Sequence, residues 1–116
     1  MLINCSNHNN DRWSPDQIQA AIQLYGAPIV YLPFPSIHHT EDTSIVVKKA
    51  EEFGDSIQQI PCPEGQDKVV LVMGEMCFTF NLVRVLKSRR IRVVHACSDR
   101  YNTTANRFVF ARFRDY

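Results

Sequence analysis

Apolar residues in this chain fall into short blocks separated by polar, glycine- or proline-bearing stretches, and their spacing switches between two periods. Residues 1–5 (MLINC) and 68–73 (KVVLVM) are almost uninterrupted apolar runs, the pattern of strands covered on both faces. Residues 27–34 (APIVYLPF) read as a second strand, ended by Pro33 and Pro35, and 91–97 (IRVVHAC) as the fourth. Helical spacing fills the gaps. Ile18, Ala21, Ile22 and Tyr25 repeat at helical intervals after Ser14-Pro15-Asp16-Gln17, which reads as a helix start. Ser14 is the N-cap there, Pro15 takes the first helical position, Gln17 closes a capping box, and Gly26 supplies the stop. Val46, Ala50, Phe53 and Ile57 predict a second helix over 42–58, with Gly54 its one weak position. Leu82, Val83, Val85 and Leu86, set among Arg84, Lys87 and Arg89, predict a third that ends near Arg89. The final stretch, 107–116 (RFVFARFRDY), alternates Phe108, Phe110 and Phe113 imperfectly as a last strand. No helix precedes it, so it runs antiparallel to its predecessor.

The order β-α-β-α-β-α-β-β, with right-handed crossovers, puts helices on both faces of one sheet. The economical strand order is 2-1-3-4-5: a compact Rossmann-like or flavodoxin-like α/β sheet, mostly parallel, with an antiparallel last strand. At 116 residues this is a single domain spanning 1–116. Apolar residues make up 45% and charged residues 22%, which excludes disordered and collagen-like classes. No apolar run reaches the ~18–20 residues that cross a bilayer. The N-terminus carries no basic region, apolar core or cleavage site of a secretory signal, so the expected compartment is the cytoplasm.

Net charge is +1, but the halves differ: residues 1–58 hold three basic and seven acidic side chains, residues 59–116 ten and five. Long duplex nucleic acid demands a more basic surface, whereas a small anion or a complementary partner is served by the local excess.

Ligands of a doubly wound sheet settle beyond the carboxyl ends of the strands, where strand order reverses. Here that crevice lies between strands one and three. Its walls are the opening loop, Ser6 to Arg12, and Met73 to Thr79 (MGEMCFT), with Ser98-Asp99-Arg100 one strand further out. Each loop equally serves as a plain turn. Gly74 suits a strand-to-helix turn and also lets a phosphate approach the backbone. Thr79 reads as a helix-capping hydroxyl or as a donor to phosphate or base, and Glu75 as a solvated carboxylate, a contact to a sugar hydroxyl, or a partner for Arg100. His8 is the one group in the opening loop that exchanges protons near neutral pH, as a general base, a ligand contact or a surface residue. No GxGxxG or GxxxxGK[ST] occurs, which disfavours an ATPase or a standard dinucleotide enzyme.

Cys5, Cys62, Cys77 and Cys97 show no CxxC spacing and read as small buried hydrophobes. Cys5, Cys77 and Cys97 nevertheless fall near the carboxyl ends of adjacent strands, where a metal site or a thiol nucleophile is a minor alternative. His38 and His39 read as a solvated pair and His95 as a core or interface residue. No cofactor is expected.

LINCSNHNNDRWS after strand one and VVLVMGEMCFTFNLVRVLK around strand three resemble the small Rossmann-like proteins of CRISPR antiviral defence. These are the CARF domains, which bind cyclic oligoadenylates, and the stand-alone ring nucleases, which cleave them. The resemblance implies a homodimer with the ring-shaped ligand across its two-fold axis. It also implies metal-independent cleavage, in which the ribose 2′-hydroxyl attacks the adjacent phosphate. On that pattern His8, Ser6 and Arg12 form the catalytic set, while Asn7, Asn9, Gly74, Glu75, Thr79, Ser98 and Arg100 contact the ligand. The chain departs from the family in one respect: neither crevice loop contains a lysine. A non-enzymatic nucleotide sensor or protein-interaction adaptor is the alternative. A third reading is a dimerisation domain using Phe108, Phe110 and Phe113 as an interface, against which core packing is the simpler account.

Overall fold

The computed structural model describes residues 1–99 and 108–116. Its elements are β1 (Leu2–Ser6), a single 3-10 turn (Asn10–Arg12), α1 (Pro15–Tyr25), β2 (Ile29–Tyr31), α2 (Thr43–Gln59), β3 (Val69–Met73), α3 (Met76–Ser88), β4 (Arg92–Ser98) and β5 (Phe110–Asp115). The sheet order is β2-β1-β3-β4-β5. The first four strands are parallel and β5 lies antiparallel on β4. The predicted α/β topology is therefore the observed one.

β2 is shorter than the predicted 27–34 because Pro33 and Pro35 cannot donate to a ladder. The chain still tracks β1 beyond it: the Leu32 amide donates to the Asn4 carbonyl at 2.9 Å and the Phe34 amide to the Ser6 carbonyl at 3.4 Å.

Alternation along the central strands divides the core in two. Ile3, Cys5, Val70 and Val72 pack with α2 and α3 on one face, while Leu2, Val69 and Leu71 pack with α1 on the other. The glycine that weakens the α2 pattern has a packing cause. A Cβ on Gly54 would stand 2.7 Å from Val85 Cγ1, so the close approach of α2 to α3 requires its absence.

The imperfect aromatic alternation in the last strand has a cause too. The β4–β5 register shifts at Cys97/Ser98, and this irregularity lets Phe110 and Phe113, three apart, both serve the α1 face. Phe113 is the buried anchor, its ring 6.2 Å from Trp13, 5.7 Å from Tyr25 and 4.9 Å from Phe110. Phe108 precedes the strand and stays exposed. Among the described residues no helix is long and apolar enough to cross a membrane.

Candidate functional site

β1 ends in polar residues that point to the α1 face, and they brace the loop that follows. Asn4 is fully buried. Its Nδ2 donates to the His8 carbonyl at 2.8 Å and to Asn10 Oδ1 at 2.9 Å. Its Oδ1 accepts from Ser6 Oγ at 2.7 Å, and that hydroxyl accepts in turn from the His8 amide at 3.2 Å. Asn10 Nδ2 extends the chain of bonds to the Ile29 carbonyl at 3.0 Å, and Tyr31 Oη donates to the Ser6 carbonyl at 3.4 Å. The loop is thus tied to both β1 and the end of β2. Satisfying every buried polar group in such a network is what makes it rigid.

Behind this loop lies a cleft of about 720 Å³ on the α1 face, above the carboxyl ends of β1, β3 and β4. Ser6, Asn7 and His8 form one side. Arg12, Trp13 and the first turn of α1 (Ser14, Pro15 and Gln17) form another. Leu71, Met73 and Ala96 floor it, with Gly74 and Phe108 at the margins. No carboxylate is among these residues. The His8 imidazole and the Arg12 guanidinium are exposed and make no bond to other described residues, so both are available to a ligand. The first turn of α1 adds little to this: Pro15 has no N–H, the Gln17 and Ile18 amides are taken by Ser14, and Asp16 brings a carboxylate to the same turn.

The helix start at α1 forms half of the predicted capping box. The Gln17 amide donates to Ser14 Oγ at 3.3 Å. The Gln17 carboxamide does not return the bond. Gln17 as a residue is 5% exposed and lines the cleft, while its amide atoms have no hydrogen-bond partner among the described residues and stay open to solvent.

Of the residues singled out from the pattern, Ser6, Asn7, His8, Arg12 and Gly74 come together around this cleft. Asn9 does not line it; its carbonyl receives the Arg12 amide at 2.9 Å and shapes the turn. Glu75 and Thr79 leave with α3, which packs on the opposite face. Glu75 is the α3 cap, its Oε1 accepting from the Phe78 amide at 2.7 Å. Thr79 lies one turn into the helix, and its Oγ1 is buried without a partner. The cap is therefore the carboxylate and not the hydroxyl. Ser98 ends β4 opposite Phe110, outside the cleft lining. Arg100 lies outside the described residues.

Gly74 owes its identity to packing. A Cβ there would stand 2.4 Å from the Phe34 ring, which sits edge-on to Phe78 at 5.0 Å. Phe34 thus fills one side of Gly74, while the residue also borders the cleft.

The sulfur and histidine groups distribute elsewhere. Burial pushes the Cys5 thiol up to about 12, so it stays protonated in the core between sheet and helices. All four cysteines are free, and among the described residues no three His, Cys, Asp or Glu side chains gather to hold a metal ion. His38 and His39 stack on each other at 4.3 Å on the surface, and half-buried His95 lies 4.9 Å from the Tyr116 ring.

Asn4 is not marked out by the sequence pattern as a site residue, and the pattern assigns the Gln17 side chain to a capping box rather than to the cleft. A polar residue inside the otherwise apolar run 1–5 was the available signal for Asn4. No local signal separates a Gln17 that closes a capping box from one that faces a cleft. A model of the family described as Uncharacterized protein MJ1673 matches residues 1–114. A comparison with curated proteins gives no match.

Proposed function

The chain belongs to the MJ1673 family, and we propose that it binds a nucleotide-class phosphodiester in the cleft beside α1, a cyclic oligoadenylate held between two copies. One observation carries the reading: His8 and Arg12 converge, with no carboxylate among the described lining residues, on a cleft where a sheet of this topology holds ligands. A cleft of about 720 Å³ suits one small ligand. A ring of four or more nucleotides therefore needs the clefts of two protomers, which is the homodimer that the CARF and ring-nuclease resemblance implies.

Cleavage of such a ring uses the ligand's own nucleophile. His8 takes the proton of a ribose 2′-hydroxyl, whose oxygen bonds to the adjacent phosphorus. The P–O5′ bond breaks, leaving a 2′,3′-cyclic phosphate and a 5′-hydroxyl that takes up a proton. Arg12 balances charge on the five-coordinate phosphorus, and the braced loop supplies orientation. Ser6 acts through the His8 backbone and is a positioning residue. Binding without cleavage, as a sensor, is the second reading. It is favoured by Arg12 being the lone Lys or Arg among the described lining residues.

The test is calorimetry and product analysis with cyclic tetra-adenylate and cyclic hexa-adenylate in the presence of EDTA. Binding plus linear products, with products lost in His8→Ala while binding persists, is the expected result. Binding without products selects the sensor. If neither ring binds, the reading fails.

A further inference from the structure

We infer that the cleft contains a nucleobase subsite in which the Gln17 carboxamide reads the edge of an adenine-type ring held over Leu71, Met73 and Ala96. This rests on the nucleotide reading of the same cleft and adds to it the part of the ligand that is recognised. His8 and Arg12 would hold a phosphate but carry no preference for a base.

Gln17 is the observation they leave unexplained. Its residue is nearly buried but its amide atoms are open to the cleft, where water satisfies them until a ligand with matching groups displaces it. Here the expected partner, the Ser14 backbone, is not used, and the amide opens into the cleft instead. The surroundings are those of a planar apolar ring. Leu71, Met73 and Ala96 give an aliphatic floor, Trp13 is 8% exposed at one side, and Phe108 is 56% exposed at the margin. An amide offers one acceptor and two donors in a plane. It pairs in two bonds with adenine, accepting from N6 and donating to N7. Hypoxanthine presents two acceptors on that edge, so one of the two bonds is lost. The polar and apolar ends of the cleft thus divide a nucleotide between phosphate and base.

Trp13 is the single tryptophan of the chain, which makes its emission a local reporter. The full-length protein is titrated with adenosine 5′-monophosphate, inosine 5′-monophosphate, ribose 5-phosphate and adenosine, following Trp13 emission and calorimetric heat. Adenosine 5′-monophosphate is expected to bind roughly tenfold more tightly than inosine 5′-monophosphate, the scale of one bidentate pair. Gln17→Met, close in shape and without the amide, is expected to erase that preference and leave ribose 5-phosphate binding unchanged. Phe108→Ala, at an exposed position, is expected to weaken the adenine ligand and spare ribose 5-phosphate; this variant carries the test if Gln17→Met does not fold. Equal binding of both nucleotides, or a preference that survives Gln17→Met, overturns the base subsite and leaves the phosphate reading standing. Binding of adenosine that depends on Gln17, without any ribose 5-phosphate binding, supports the subsite and removes the phosphate reading. Binding of none of the four overturns both.

Discussion

Ser6 Oγ donates to Asn4 Oδ1 across 2.7 Å, a side-chain bond between two buried residues on the same face of β1. The pair turns the end of a core strand into the anchor of a loop, because Asn4 Nδ2 and Ser6 Oγ both engage the His8 backbone. His8 and Asn7 stand in the cleft as a result of this bracing, not of any bond of their own side chains.

Removing the anchor should therefore cost stability beyond the lost side chain. Asn4→Ala strips partners from Ser6 Oγ, the His8 carbonyl and Asn10 Oδ1, and is expected to destabilise by about 2–4 kcal/mol, several times the net worth of one bond. Ser6→Ala should cost about 1 kcal/mol. Urea unfolding followed by circular dichroism reads both; an Asn4→Ala midpoint equal to wild type would refute the network's role.

Gly74→Ala forces a methyl into the Phe34 ring, 2.4 Å away, at a position where the ring is held against Phe78. Overpacking of this kind is expected to lower stability by about 1–3 kcal/mol. The double change Gly74→Ala with Phe34→Leu should recover part of the loss, and a melting temperature that does not recover would point away from this contact.

Thr79 and Glu75 give opposite expectations. Glu75→Ala removes a cap and should cost about 1 kcal/mol. Thr79→Val replaces a buried hydroxyl that has no partner and should be neutral or slightly stabilising. Neither change should alter the ligand binding proposed for the cleft, since both side chains belong to the opposite face; a binding defect in Thr79→Val would return that residue to the site.

Cys5 sets a pH dependence. Burial raises its thiol from 9.0 to about 12. Below pH 9 the folded and unfolded chains both keep the proton, and the contribution is fully present. Between 9 and about 12 only the unfolded chain releases it, so stability falls as pH rises through that window. At about pH 10.5 the loss from this one group is on the order of 2 kcal/mol. Cys5→Ala should show a shallower alkaline decline than wild type, compared as the change in urea midpoint between about pH 7.5 and 10.5; identical slopes would assign the decline to other groups.

The strands, helices and their order were legible in the hydrophobic periods because burial on one face or two leaves a direct imprint on sequence. The 2-1-3-4-5 sheet followed from chain order and crossover handedness, and it placed Ser6, Asn7, His8 and Arg12 at the cleft. Beyond that, spacing carried no information. Glu75 is nearer to Gly74 in sequence than His8 is to Ser6, yet α3 carries it, and Thr79 one turn further on, to the far face. Phe34 decided Gly74, Val85 decided Gly54, and the register shift beside Ser98 decided which phenylalanines are core. Gln17 shows the division most plainly. Its place in the first helical turn was fixed by Ser14 and Pro15 in the sequence. Whether its amide capped the helix or faced a cleft depended on atoms of β3 and β4, brought there only by the folded chain.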